Sequence, residues 1–130
     1  MIRREIIEIM VGIVKGYLSR RKTIEAMVGI IQDYLSHKIN RCQAVERLIY
    51  NVNIGHIRDT LSDKYTQEDL LIIDCYYAIK HLTHPGDETI DDELQYLGDC
   101  LIGKRVYNVE EKNELIRNYY KSVKSTNVLR

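Results

Sequence analysis

A single proline, Pro85, stands in 130 residues, and apolar side chains recur every three to four positions on both sides of it. That combination constrains the chain to helices, since proline is the strongest helix breaker and the three-to-four spacing is the helical period. No strand-like alternation occurs, and neither Asn-Gly nor Asp-Gly marks a hairpin turn. Residues 5–19, EIIEIMVGIVKGYLS, set Ile6, Ile9, Met10, Ile13, Val14, Tyr17 and Leu18 at this spacing, which predicts a first helix. Arg20-Arg21-Lys22 follow where positive charge suits a helix C-terminus. Thr23 is placed to cap a second helix carrying Ile24, Met27, Val28, Ile31, Tyr34 and Leu35.

These two segments match at an offset of 17 residues, with nine of thirteen positions identical between 7–19 and 24–36. The pattern reads as a local duplication of one helix. Gly12 and Gly29 fall mid-helix, where glycine costs about 1 kcal/mol against alanine; close approach of two helices would explain them.

Asn40 with Gln43 forms a capping box for a third helix bearing Ala44, Val45, Leu48, Ile49 and Val52. Residues 53–65 are ambiguous, with a short turn centred on Ile57 and Leu61. Thr66-Gln67-Glu68-Asp69 opens a fourth helix whose broad stripe (Leu70, Leu71, Ile73, Asp74, Tyr77, Ala78, Leu82) places it centrally. Pro85-Gly86 ends it. Thr89 or Asp87 caps a fifth helix that turns Ile90, Leu94, Leu97 and Leu101 inward and stops at Gly103. Asn108 with Glu111 caps a sixth, carrying Val109, Leu115, Ile116, Tyr119 and Tyr120. The expected fold is all-α: one domain over residues 1–130, a compact bundle of five to six helices with short loops. Residues 1–22 are its extra, duplicated helix and 122–130 a frayed tail.

Hydrophobic residues at 45% and charged residues at 29% suit a globular domain and are too apolar for disorder. No apolar run approaches the roughly 20 residues of a membrane span. MIRREIIEIM lacks a signal peptide's clean apolar core, so a cytoplasmic bacterial protein with a mature N-terminus is expected. Three cysteines, an odd number without a Cys-x-x-Cys, point to reduced core thiols.

Catalytic and metal motifs are weak. His81 and His84 could share a metal at i, i+3 with Asp87 nearby, but a helix-end pair without further ligands reads as a solvated cap, so no metal or cofactor is expected. No nucleophile elbow or phosphate-binding glycine loop occurs. Asp74, beside the stripe of the central helix, reads as half of an ion pair with Lys80 or Arg58. No enzyme is expected. Two basic clusters, Arg20-Arg21-Lys22 and Lys104-Arg105, support an alternative reading as a helical regulatory or RNA-associated module, although a pI near 6.9 is low for a dedicated nucleic-acid binder.

The net charge of zero conceals segregation: residues 1–57 carry +4, residues 58–99 carry −8 and residues 100–130 carry +4. Within the middle segment, Asp87, Glu88, Asp91, Asp92, Glu93 and Asp99 place six carboxylates in thirteen residues. With Tyr96 as an anchor, they form a candidate surface for a basic protein, because opposite charge speeds encounter and tyrosine is a frequent interface hot spot. Glu68 and Asp69 extend it if the fourth and fifth helices are antiparallel neighbours.

YLSHKINRCQAVERLI (34–49) resembles the opening of the colicin D-type immunity proteins, with Tyr34, Leu35, Ser36, Lys38, Ile39, Glu46 and Arg47 at matching places. ETIDDELQYLGDCLIGKR (88–105) is similar to that family's final acidic turn and helix through Asp91, Asp92, Glu93 and Leu94. The resemblance spans roughly residues 27–105. It implies a small helical bundle that blocks a cognate toxin nuclease, in the best-known case a tRNA-cleaving one, by covering its basic cleft with acidic side chains. Such proteins are usually acidic overall and lack the extra N-terminal helix.

Overall fold

A computed structural model describes residues 2–58 and 65–128, with side chains throughout these spans other than 2, 12–18, 56, 58 and 125–128. Six α-helices form a bundle: α1 (Ile2–Leu35), α2 (Arg41–Asn51), α3 (Gly55–Arg58), α4 (Gln67–Lys80), α5 (Asp91–Leu101) and α6 (Val109–Val128). A 3₁₀ turn, His81–Thr83, extends α4, and no strand occurs among the described residues. The expected all-α bundle is the observed architecture.

The two copies of the duplicated helix are not separate. They are the halves of α1, which runs 34 residues, about 51 Å at 1.5 Å per residue. Nothing between Ser19 and Glu25 breaks a helix. Thr23 does not cap; its hydroxyl donates back to the Ser19 carbonyl at 2.9 Å, an interior helical bond. Arg21 pairs with Glu25 one turn on, at 3.3 Å. Arg20 does not face a helix end but reaches across to the start of α4, Nη2 lying 2.7 Å from Asp69 Oδ1. The helix ends at a left-handed His37 (φ 64°), with Lys38 N–H bonded back to the Asp33 carbonyl.

The other N-caps form as their local sequence dictates. Asn40 and Gln43 make a reciprocal capping box on α2, as do Thr66 and Asp69 on α4. Asn108 Oδ1 accepts from Glu111 N–H at 3.0 Å. Helix α5 departs from expectation: its N-cap is Ile90, with no side-chain bond. Thr89 is buried instead, its hydroxyl donating to the Ala78 carbonyl at 2.6 Å, so it fastens the loop to the end of α4. Gly86 (φ 80°) and Gly103 (φ 84°) supply the left-handed turns after the 3₁₀ turn and after α5. Beyond Lys121, where fraying was expected, α6 continues to Val128.

The core joins Met27, Ile30 and Ile31 of α1, Ala44 and Leu48 of α2, and Leu71, Ile72, Cys75, Ala78 and Ile79 of α4 to Leu94, Leu97 and Cys100 of α5. Val52 and Ile54 after α2, Ile57 of α3 and Leu82 of the 3₁₀ turn close it. Helix α4 is central, packing on α1, α2, α3 and α5, but its inward face is rotated from the expected one: Leu70 is exposed and Ile72, Cys75 and Ile79 point in. The close helix approach falls on Gly98 rather than Gly29, since a Cβ at 98 would lie 3.3 Å from Ile31 Cγ2. Gly12 has its side-chain environment outside the described residues, as does Leu61 entirely. Helix α6 packs along α5. No described helix is long and apolar enough to cross a membrane.

Candidate functional site

The acidic stretch divides by burial. Asp87, Glu88, Asp91 and Asp92 are exposed, on the loop before α5 and in its first turn. Carboxylates there are favoured by the helix dipole, a structural reason for Asp91 and Asp92 that coexists with any contact role. Glu88 accepts from Arg41 Nη1 at 2.7 Å, which fixes the loop to the start of α2. Asp87 Oδ2 lies 3.7 Å from His81 Nδ1.

Three members of the expected surface turn away from it. Tyr96 is 1% exposed and cannot be an anchor. Its hydroxyl accepts from Asn108 N–H at 3.0 Å and donates to the Asn108 carbonyl, so it organises the α5–α6 connection, with the Arg105 guanidinium 5.1 Å from its ring centre. Asp69 is buried as the α4 capping partner. Its Oδ1 has no aligned hydrogen bond, so the positive charge of Arg20 is what offsets its burial. Glu68, half-exposed, faces the same arginine at 3.6 Å. Thus Glu68 and Asp69 brace α1 against α4 and do not extend the edge. Glu93 and Asp99 are half-buried; Asp99 accepts from Gln95 at 3.1 Å. Burial raises the Glu93 carboxyl above the ordinary glutamate range, Lys112 opposing and Asp74 and Asp87 adding to the shift.

What the edge gains is an aromatic pair that sequence reasoning assigned only to a helix stripe. Tyr119 and Tyr120 of α6 pack edge to face, ring centres 5.3 Å apart, and remain 39% and 50% exposed. With Arg41, Glu88, Asp91 and Asp92 they line an open cleft of about 660 Å³. The signal was present as two adjacent tyrosines in a polar helix, but its link to residues 88–92 required the α5–α6 packing.

Asp74 forms an ion pair with Lys112 and not with Lys80. Lys112 Nζ of α6 lies 2.6 Å from Asp74 Oδ2, and the Tyr107 hydroxyl donates to the same oxygen at 2.5 Å. Burial and this carboxylate both push the Tyr107 phenol upward. Lys80 instead lies 5.9 Å from the Tyr77 ring centre, and the Arg58 side chain is outside the described residues. The basic clusters are largely engaged: Arg20 with Glu68 and Asp69, Arg21 with Glu25, and Arg105 with Glu111 at 4.0 Å. Cys75 and Cys100 are buried, as expected of core thiols, whereas Cys42 is exposed in the first turn of α2. Among the described residues, no three His, Cys, Asp or Glu side chains gather as a metal ion would require.

Comparison of the chain with protein-family models, curated proteins and solved structures found no match.

Proposed function

We propose that this chain is a cytoplasmic immunity protein that binds a cognate bacterial nuclease toxin and occludes its basic active-site cleft. The observation that carries the reading is the exposed edge itself. Three carboxylates, Glu88, Asp91 and Asp92, line an open cleft with the half-exposed Tyr119 and Tyr120, and the exposed Asp87 adjoins Glu88 in the same loop. The resemblance in residues 34–49 and 88–105 supports it.

The mechanism needs no bond chemistry. A nuclease cleft is basic because it holds a polyanion, and carboxylates spaced along a helix start can occupy the positions of phosphates. Charge attraction raises the encounter rate and sets orientation. The paired tyrosines then exclude water and bury apolar area, which is how interface anchors contribute affinity. Arg41 holds Glu88 in place without neutralising the edge, since among the described residues Asp87, Asp91 and Asp92 have no arginine or lysine partner.

The test is protection of growing cells that produce the toxin. Asp91→Lys combined with Asp92→Lys is expected to abolish protection while leaving the helical circular dichroism and melting temperature close to those of the unaltered chain. Full protection by that folded variant would refute the reading.

A further inference from the structure

Helix α6 is seated on the bundle by a charge. Among its described side chains, residues 109–124, Lys112 alone is buried. Its Nζ lies 2.6 Å from Asp74 Oδ2 of α4, the oxygen that also accepts from the Tyr107 hydroxyl. The same ammonium offsets the charge of the half-buried Glu93 of α5. Apolar support is thin. Leu115 is the one described α6 side chain packed against the core, whereas Val109, Tyr119, Tyr120 and Val123 are all 39% exposed or more.

Such a seat is sensitive rather than strong. An ammonium and a carboxylate taken partly out of water lose much of their attraction to desolvation, so the intact pair stabilises little. Removing one partner leaves the other uncompensated, which is strongly unfavourable. A helix that buries little apolar area belongs to the part of a fold that opens first. The place of the pair gives its state a consequence. Lys112, Leu115, Ile116 and Tyr119 follow at i, i+3, i+4 and i+7 along one side of α6, so Tyr119 stands two turns, about 10 Å, beyond the lysine. The start of α6 is pinned separately, since the Tyr96 hydroxyl joins both the N–H and the carbonyl of Asn108. We infer that the Lys112–Asp74 pair is a latch. Closed, it holds α6 along α5 and sets Tyr119 and Tyr120 against Glu88, Asp91 and Asp92. Open, α6 swings as a unit about Asn108 and the cleft is dismantled. Lys112 is thus a positioning residue for a cleft that it does not line. The latch acts on the cleft itself, whatever the cleft binds.

The experiment is amide hydrogen exchange followed by NMR on the full chain without any partner. The Ile90 methyl shifts are recorded on the same samples, because Ile90 lines the cleft with both tyrosines and feels their ring currents. In the unaltered chain, the amides of α6 beyond its first turn are expected to exchange as one block, about tenfold or more faster than those of α4 and α5. Lys112→Met keeps the aliphatic stem and removes the charge. It is expected to speed that block by about a hundredfold, the scale of an uncompensated buried charge, with α4 protection kept and the Ile90 shift lost. Asp74→Asn combined with Lys112→Met leaves neither charge and keeps an acceptor for the Tyr107 hydroxyl, so α6 protection and the Ile90 shift are both expected to return. Exchange of α6 at the α4 rate in the unaltered chain, acceleration shared equally by every helix in Lys112→Met, an Ile90 shift indifferent to that variant, or no recovery in the double variant would each overturn the inference.

Discussion

Two half-buried carboxylates share one cation in this fold. Lys112 holds Asp74 at 2.6 Å and also acts on Glu93, which burial keeps above its ordinary range. The sign of its pH effect follows from linkage. A carboxyl raised in the folded state contributes stability that is complete below its unfolded value, near 4.5, and is lost as pH rises through the raised value. Glu93→Gln stays neutral throughout, so it is expected to melt higher than the unaltered chain near neutrality, with the gap closing toward pH 4.5. Melting temperature across a pH series measures this, and a gap that widens on acidification would contradict it. Tyr96 makes a separate claim. Tyr96→Phe removes the hydroxyl that bridges to Asn108 and is expected to lower stability by about 1 kcal/mol in urea unfolding while leaving partner affinity unchanged. These residues also mark what sequence reasoning could reach. The acids of residues 87–92 were legible as exposed because a helix start selects acids locally. The burial of Tyr96, Glu93 and Asp69 was not, since a helical wheel fixes relative directions but not which direction faces the core.

At the scale of elements, the caps at Asn40, Thr66 and Asn108 were legible because each is satisfied within three residues of itself. The continuity of α1 was not. Arg20-Arg21-Lys22-Thr23 carries the composition of a helix end followed by a cap, and only the distant Asp69 makes Arg20 an interior brace. The tilt of the α4 stripe was misread by one position for a related reason: a nearly all-round apolar helix gives its period little contrast. The α1–α5 contact depends on the missing side chain of Gly98. Gly98→Val is expected to force these helices apart and lower stability by roughly 2 kcal/mol, the range of overpacked core substitutions, read as an earlier urea midpoint. An unchanged midpoint would mean that α1 and α5 are not closely apposed there.

Across the whole molecule, zero net charge is compatible with a strong local field because the charges are segregated along the chain and the fold keeps much of that segregation. Arg4, Arg20 and Arg21 of α1 pair with acids of the chain itself, whereas, among the described residues, Asp87, Asp91 and Asp92 face solvent without an arginine or lysine partner. The fold class was readable from periodicity alone. The candidate edge was half readable: its acids came from local composition, and its aromatic side, Tyr119 and Tyr120, came from tertiary packing that no short-range pattern encodes. The proposal that this edge blocks a toxin is tested most directly by nuclease inhibition. The tagged chain would be used to capture its basic partner from the native bacterium, and the partner's nuclease activity, freed by high salt, assayed with each form of the chain returned at low salt. The unaltered chain is expected to suppress cleavage, Tyr120→Ala to weaken suppression by about 2 kcal/mol as an interface anchor does, and Asp91→Lys with Asp92→Lys to abolish it. Equal suppression by the charge-reversed chain, or a captured partner without nuclease activity, would contradict the account.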